Sequence, residues 1–310
     1  MAASPPHHDG RAYPWVAKGN RASGWAAVAS AWRSTGGLGT LVAMEPNHRE
    51  IQPRLELARA IAREAGRVTL DFFQRDDLQV DRKADDSPVT AADRQAEQLM
   101  RERIRAQFPE DTVLGEESGQ TPGSSAYRWV LDPIDGTNTF VAGVPLYTTL
   151  VGVLAGQQGV VGVIHAPVLD EMVYAASGCG AWCVRGRAVP RRAQVSAVTR
   201  LAEGLFVTTA VASFTQFRTA SAQDVYLRLQ AAARMTRTWG DGYGYLLVAT
   251  GRAEVMVDPA LNLWDAAPVQ TILEEAGGTF TDWQGRATVH GGDGIGTNGR
   301  VHDEVLRLVR

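Results

Sequence analysis

The sequence predicts an α/β (α+β) protein. Three features carry that expectation: helical periodicity that starts near residue 50, β-branched runs through the middle, and strand–helix alternation towards the C-terminus. Leu55, Ala58, Ile61, Ala62, Ala65 and Val68 recur at helical spacing and predict an amphipathic helix ending near Phe73. A charged stretch from Asp76 to Ser87 comes after it. Thr90 then reads as an N-cap with Asp93 at the third helical position, a capping box. Ala92, Ala96, Leu99, Met100 and Ile104 form the apolar stripe of this second helix, which Pro109 ends.

Next come strands. Thr112–Leu114 and Trp129–Leu131 read as short strands running into acidic turns, and 147–154 with 160–165 as a hairpin. Glu171–Ala175 is a further strand, and Gly178, Gly180 and Gly186 punctuate the stretch after it. Beyond Val195 the pattern predicts helices over 222–233, 243–249, 264–276 and 301–309, and a strand over 253–257. Gly277 and Gly278 stop the third of these helices. The change of pattern divides the chain into an α+β portion over 50–190 and an α/β portion over 191–310. Residues 1–49 read as a disordered extension, with Arg11, Lys18, Arg21 and Arg33 set against one acid, Asp9, before Met44. The same composition fits a transit peptide or translation from a start upstream of Met44.

Composition narrows the function. A chain of 310 residues with 45% hydrophobic content supports one or two domains with a substantial core. A net charge of −3 gives no electrostatic footprint for nucleic acid or an anionic membrane. No apolar run reaches the roughly 18–20 residues of a membrane span. Cys179 and Cys183 lack the further ligands of a zinc site and read as reduced thiols in a cytoplasmic protein.

Three segments place carboxylates where an apolar strand ends or a helix begins: Gly115-Glu116-Glu117-Ser118-Gly119, Asp132-Pro133-Ile134-Asp135-Gly136-Thr137-Asn138, and Trp264-Asp265-Ala266. Capping alone accounts for Asp265 taken singly, because an anion in the first helical turn gains about 0.3–1 kcal/mol. Asp132 and Asp135 ask for more. Pro133 biases Asp132 towards an extended conformation, and Gly136 permits a tight turn that swings Asp135 and the Ile134 carbonyl to the same side. Thr137 and Asn138 can present amides at a helix start. Such a turn offers hard oxygen ligands beside a phosphate cradle, the combination Mg²⁺ uses to bridge carboxylates to a phosphate. The bland alternative is a turn held by Asp side chains bonding their own backbone.

Together with Glu275-Ala276-Gly277-Gly278, these segments resemble the signature of the inositol monophosphatase family, in order and spacing from about residue 50 to the C-terminus. The resemblance implies a layered α/β/α/β/α sandwich, homodimers, and Mg²⁺-dependent hydrolysis of a small phosphate monoester with two or three ions per site. It also implies inhibition by Li⁺ and Ca²⁺. Residue by residue, it makes Glu116, Asp132, Asp135, Asp265 and the Ile134 carbonyl metal ligands, and Gly136, Thr137 and Asn138 the phosphate-binding turn. Asp93 matches an acid that pairs with Thr137 and orients the attacking water, and Glu117 a supporting carboxylate. Lys83 falls near a lysine that borders the family's metal site, although the loop differs in length.

Phe140-Val141-Ala142-Gly143-Val144-Pro145 departs from the common inositol-phosphatase form. That segment and Trp239-Gly240-Asp241-Gly242-Tyr243-Gly244-Tyr245 resemble the histidinol-phosphatase branch of the family. Inositol phosphatases usually carry a small neutral residue where Asp241 stands. Histidinol phosphate has an amine and an imidazole, and a carboxylate would favour the amine by about 1.5–3 kcal/mol. The expectation is therefore a histidinol-phosphate phosphatase with Gly240, Asp241, Gly242 and Asp258 around the substrate. Asp241 as a helix cap, Asp258 as an Asp-Pro turn and Trp239 as a core side chain are the structural alternatives. Competing functions are an inositol-1-phosphate, sugar-phosphate or nucleotide 3′-phosphate phosphatase, and a silent scaffold on the same fold.

Overall fold

A computed structural model describes residues 48–83, 87–218 and 222–310. The extension expected over 1–49 therefore lies outside the described residues as far as residue 47, and His48 already opens a helix. The helices are α1 (His48–Leu70), α2 (Ala91–Gln107), α3 (Thr137–Val141), α4 (Val211–Phe217), α5 (Ala222–Ala232), α6 (Asp241–Ala249), α7 (Leu263–Glu275) and α8 (His302–Val309).

Successive side chains of a strand point to opposite faces, and the middle strands are apolar on both. They form an eight-stranded sheet. Its larger part is an antiparallel meander through Tyr127–Asp135, Thr148–Ala155, Gln158–Ala166, Glu171–Ala176, Gly180–Arg185 and Arg191–Arg192. Thr112–Gly115 joins it parallel to Tyr127–Asp135, and Gly119–Thr121 closes that edge. Trp129, Leu131, Val151, Val153, Val161 and Val163 pack with Ile51, Leu55, Ala58, Ile61, Met100 and Ile104 of α1 and α2. Val130, Leu150, Leu154 and Ile164 pack instead with α6 and α7.

Those two helices also carry the second sheet, ordered Met235–Arg237, Leu205–Val207, Val255–Asp258, Gly294–Thr297, Thr279–Thr281. Leu205, Val207, Met256 and Phe280 belong to the α6–α7 core, whereas Phe206, Val255, Val257 and Ile295 face Leu229, Phe214 and Val305 of the outer helices. The result is the expected α/β/α/β/α layering. The described residues form one compact unit; within it the chain leaves the first sheet at Arg192 and enters the second at Leu205.

Bare backbone sets how deep α7 sits. Gly152 and Gly162 are paired across their strands, and both lie beneath Pro268. A Cβ on Gly162 would fall 2.2 Å from the Pro268 carbonyl oxygen, and one on Gly159 2.5 Å from Thr271 Oγ1. Pro268 stands inside the helix, where it cannot donate the usual backbone bond. Short strands of the second sheet such as Leu205–Val207 and Gly294–Thr297 were not expected from the sequence.

Candidate active site

In a regular strand, residues three apart face opposite ways. Asp132 and Asp135 nevertheless share a face. Asp132 pairs with Leu150 and Asp135 with Thr148, so three residue steps oppose two. This is a β-bulge at Pro133-Ile134. It stands where the sequence suggested that the strand had already ended, since the strand runs on through Asp135. Ile134 N–H donates to Asp132 Oδ1 at 3.0 Å, and Thr149 Oγ1 donates to the Pro133 carbonyl at 2.9 Å. Gly136, at φ 83°, then opens α3. That turn is seated on Ile134, Phe140 and Tyr147, and Phe140 meets Tyr147 edge-on at 4.9 Å between ring centroids.

The other acids arrive from different elements. Asp265 is the third residue of α7, and its Oδ2 accepts the Asn262 N–H at 2.7 Å, so it is a cap as well. Carboxylate oxygens of Asp132, Asp135 and Asp265 lie within 4.8 Å of one another. Glu116 follows the strand next to Asp132, with its N–H on the Leu131 carbonyl at 3.1 Å. Lys83 Nζ donates to Glu116 at 2.7 Å and to Glu117 at 2.6 Å. The hairpin of Val80–Arg82 with Pro88–Thr90 brings Lys83 there despite the altered loop length.

Asp93 caps α2: its Oδ2 accepts both the amide and the hydroxyl of Thr90 at 2.7 Å. The expected pairing of Asp93 with Thr137 does not form. Thr137 Oγ1 donates instead to the Ile134 carbonyl at 3.0 Å, the oxygen expected to ligate metal. Sequence reasoning missed Glu97, one turn beyond Asp93 and fully buried. It accepts the Glu117 and Ser118 amides at 2.8 and 3.0 Å.

On the far wall, Asp241 has φ 54°, a left-handed backbone that Asp tolerates better than most residues. Its N–H donates to Thr209 Oγ1 at 3.0 Å, and that hydroxyl donates to Asp258 Oδ1, also at 3.0 Å. The Asp241 carboxylate hangs over Gly136, where a Cβ would lie 2.6 Å from Oδ2. Asp258 is buried beneath it. Its Oδ2 and the nearby Tyr245 hydroxyl complete no hydrogen bond. Gly240 and Gly242 act as spacers. A Cβ on Gly240 would strike the Thr209 backbone, and the Gly242 amide is spent on Asp135. Trp239 is neither core nor lining: it is 40% exposed, beside Arg237. A cavity of about 140 Å³ joins these groups; Asp135, Asp241, Asp258, Asp265, Ser213 and Phe217 are among its walls.

So many buried acids disfavour one another's charge. Burial first, then Glu116, pushes the Asp132 carboxyl well above its ordinary range; burial, then Asp241, does the same to Asp135. Burial and Glu116 raise Asp265 to about 7. Burial raises Glu117 to about 7 against the opposing pull of Lys83, and Asp258 to about 8. Hard oxygen donors at this spacing, poor in neutralising cations, fit a divalent metal ion.

The whole arrangement is that of a phosphoric monoester hydrolase, and residues 50–310 match the inositol monophosphatase family. The chain belongs to that family. Among its relatives, a protein of Chlorobaculum parvum named histidinol-phosphatase is 42% identical over 78% of this chain and 91% of its own length. One of the same name from Streptomyces coelicolor is 39% identical over 81% and 95%. A solved structure described as the Thermotoga maritima IMPase superposes with a TM-score of 0.73 at 30% identity, covering 83% of this chain and 96% of that one.

Proposed function

We propose that this protein is a Mg²⁺-dependent histidinol-phosphate phosphatase of histidine biosynthesis, cytoplasmic and homodimeric. The observation that carries the substrate is the pair of acids on the far wall. Asp258 is 3% exposed and keeps one oxygen without a partner, and Asp241 stands between it and the phosphate turn. A buried carboxylate oxygen left unpaired is costly. A primary ammonium group placed against Asp241 and Asp258 supplies both charge and donors, which the hydroxyls of inositol do not.

Asp132, Asp135, Asp265 and Glu116, with the Ile134 carbonyl, would hold the Mg²⁺ ions. When bound, those ions acidify an attacking water and neutralise the phosphoryl oxygens. The first-turn amides of α3, at Thr137 and Asn138, have no intrahelical partners and suit a phosphoryl oxygen after Gly136. Glu117, held by Lys83, and Asp93, near the charge of Glu116, are the carboxylates that would accept a proton and orient water. Phe217 gives the substrate's ring an apolar wall.

The test is phosphate release from histidinol phosphate, inositol 1-phosphate, fructose 1,6-bisphosphate and 3′-phosphoadenosine phosphate, with and without Mg²⁺. Histidinol phosphate is the expected preferred substrate. Asp241→Asn should raise KM for it about 10- to 100-fold, the worth of one charge-assisted hydrogen bond, and leave inositol 1-phosphate nearly unaffected. Better hydrolysis of inositol 1-phosphate by the wild type would overturn the substrate assignment. Activity indifferent to Mg²⁺, Li⁺ and Ca²⁺ would overturn the metal assignment. Light scattering on the purified protein checks the dimer.

A further inference from the structure

We infer that Glu97 is a positioning residue for the Glu116 carboxylate, acting through the backbone of the loop that carries it, with Arg101 as its clamp. The inference rests on the proposed function, in which Glu116 ligates a divalent cation. That loop is only residues 116–118, closed at its base by the Gly115–Gly119 pair. All three of its amides are held. Glu116 N–H goes to the Leu131 carbonyl, Glu117 N–H to Glu97 Oε2 and Ser118 N–H to Glu97 Oε1. Fixing consecutive amides fixes the direction in which the Glu116 side chain leaves the backbone.

The surroundings are built for this contact. Glu97 is 0% exposed, and a Cβ on Gly115 would lie 2.4 Å from its carboxyl carbon. Only glycine lets the carboxylate approach so closely. A buried charge needs a partner, and Arg101, one turn on, supplies it: Nε donates to Glu97 Oε1 at 2.8 Å. Arg101 Nη1 donates to Thr121 Oγ1 at 3.1 Å and Nη2 to the Gly119 carbonyl, so the same guanidinium grips the strand beyond the loop. Asp93, Glu97 and Arg101 thus lie one turn apart on one stripe of α2. The stripe registers that helix against the acidic loop.

Outer groups that orient metal ligands are typically worth about 10- to 100-fold in metal affinity. The experiment uses Glu97→Gln, which keeps the volume but removes the charge and turns an N–H₂ towards an amide. Two quantities are followed: the Mg²⁺-induced rise in unfolding temperature without substrate, and Mg²⁺ activation of phosphate release. The Mg²⁺ concentration giving half the effect should rise about 10- to 100-fold in both, with kcat at saturating Mg²⁺ falling far less. A variant that melts lower without metal yet has an unchanged half-effect concentration shows a merely structural Glu97 and overturns the inference. Should Glu97→Gln not fold, Arg101→Met decides. A smaller shift in the same direction supports the clamp, and an unchanged concentration overturns it. A wild type blind to Mg²⁺ sinks the metal reading and this inference together, whereas equal responses of wild type and variant sink this inference alone.

Discussion

Thr209 ties the far wall of the site together with one hydroxyl: it accepts from the Asp241 amide and donates to Asp258. Neither neighbour is easily satisfied otherwise, because Asp241 holds a left-handed φ and Asp258 is buried. Thr209→Val keeps the shape and removes both bonds. We expect it to cost about 1–3 kcal/mol in stability, from the polar groups left unpaired, and to raise KM for histidinol phosphate. Denaturant unfolding and steady-state kinetics check the two effects; unchanged values in both would show that the hydroxyl bridge is idle. Nothing in the sequence points to Thr209, whose partners lie 32 and 49 residues away. Glu97 was hidden for another reason: on an amphipathic helix a glutamate beside the apolar stripe reads as solvent-facing. Asp93 was legible because its partner Thr90 is three residues away and the capping box is a local signal.

At the scale of elements, the bulge and α7 decide whether the acids meet. The bulge was only half legible. Pro133 announced an irregularity, but the two-against-three register exists only opposite Leu150 and Thr148 on another strand. Helix α7 was readable from Trp264 to Gly277, whereas its depth depends on Gly152, Gly159 and Gly162, which in sequence look like gaps in β-branched runs. Gly162→Ala is expected to destabilise by about 1–3 kcal/mol through overpacking, and to weaken Mg²⁺ binding because Asp265 rides on the displaced helix. Thermal unfolding with and without Mg²⁺ separates the two effects. An alanine variant with wild-type values in both would show that α7 tolerates a methyl beneath it. Strands such as Leu205–Val207 and Gly294–Thr297 stayed unread because three or four residues beside or containing glycine carry no usable period, whereas Val255–Asp258 was expected over 253–257.

For the molecule as a whole, charge sets two dependences. Mg²⁺ that binds only the folded state stabilises it by mass action, about 2.7 kcal/mol at a hundred times Kd. EDTA should accordingly lower the unfolding temperature of protein purified with Mg²⁺, and no shift would count against a folded-state metal site. The second dependence lies outside the site. His165 is buried, with Nδ1 3.1 Å from the Ala62 carbonyl, and burial pushes its imidazole down to about 4. An unfolded chain takes up that proton near 6.5, so between about 6.5 and 4 the unfolded state binds more protons. Stability is full above that window and falls as pH drops through it, by up to about 3 kcal/mol from this residue. His165→Phe should flatten the slope in denaturant unfolding between pH 7 and 4; an unaltered slope would assign it to other groups.

The pair Gly152–Gly162 beneath Pro268 has a consequence for variation in this protein. A carboxylate's height above a sheet is usually adjusted by lengthening or shortening its own side chain, yet Asp265, the proposed ligand, inherits its height from glycine hydrogens on two strands under its helix. Substitutions that retune metal distance should therefore arise in the floor under the helix as readily as at the carboxylate itself. A mutational scan of Gln158–Ala166 for altered preference between Mg²⁺ and the larger Mn²⁺ is the place to look for them.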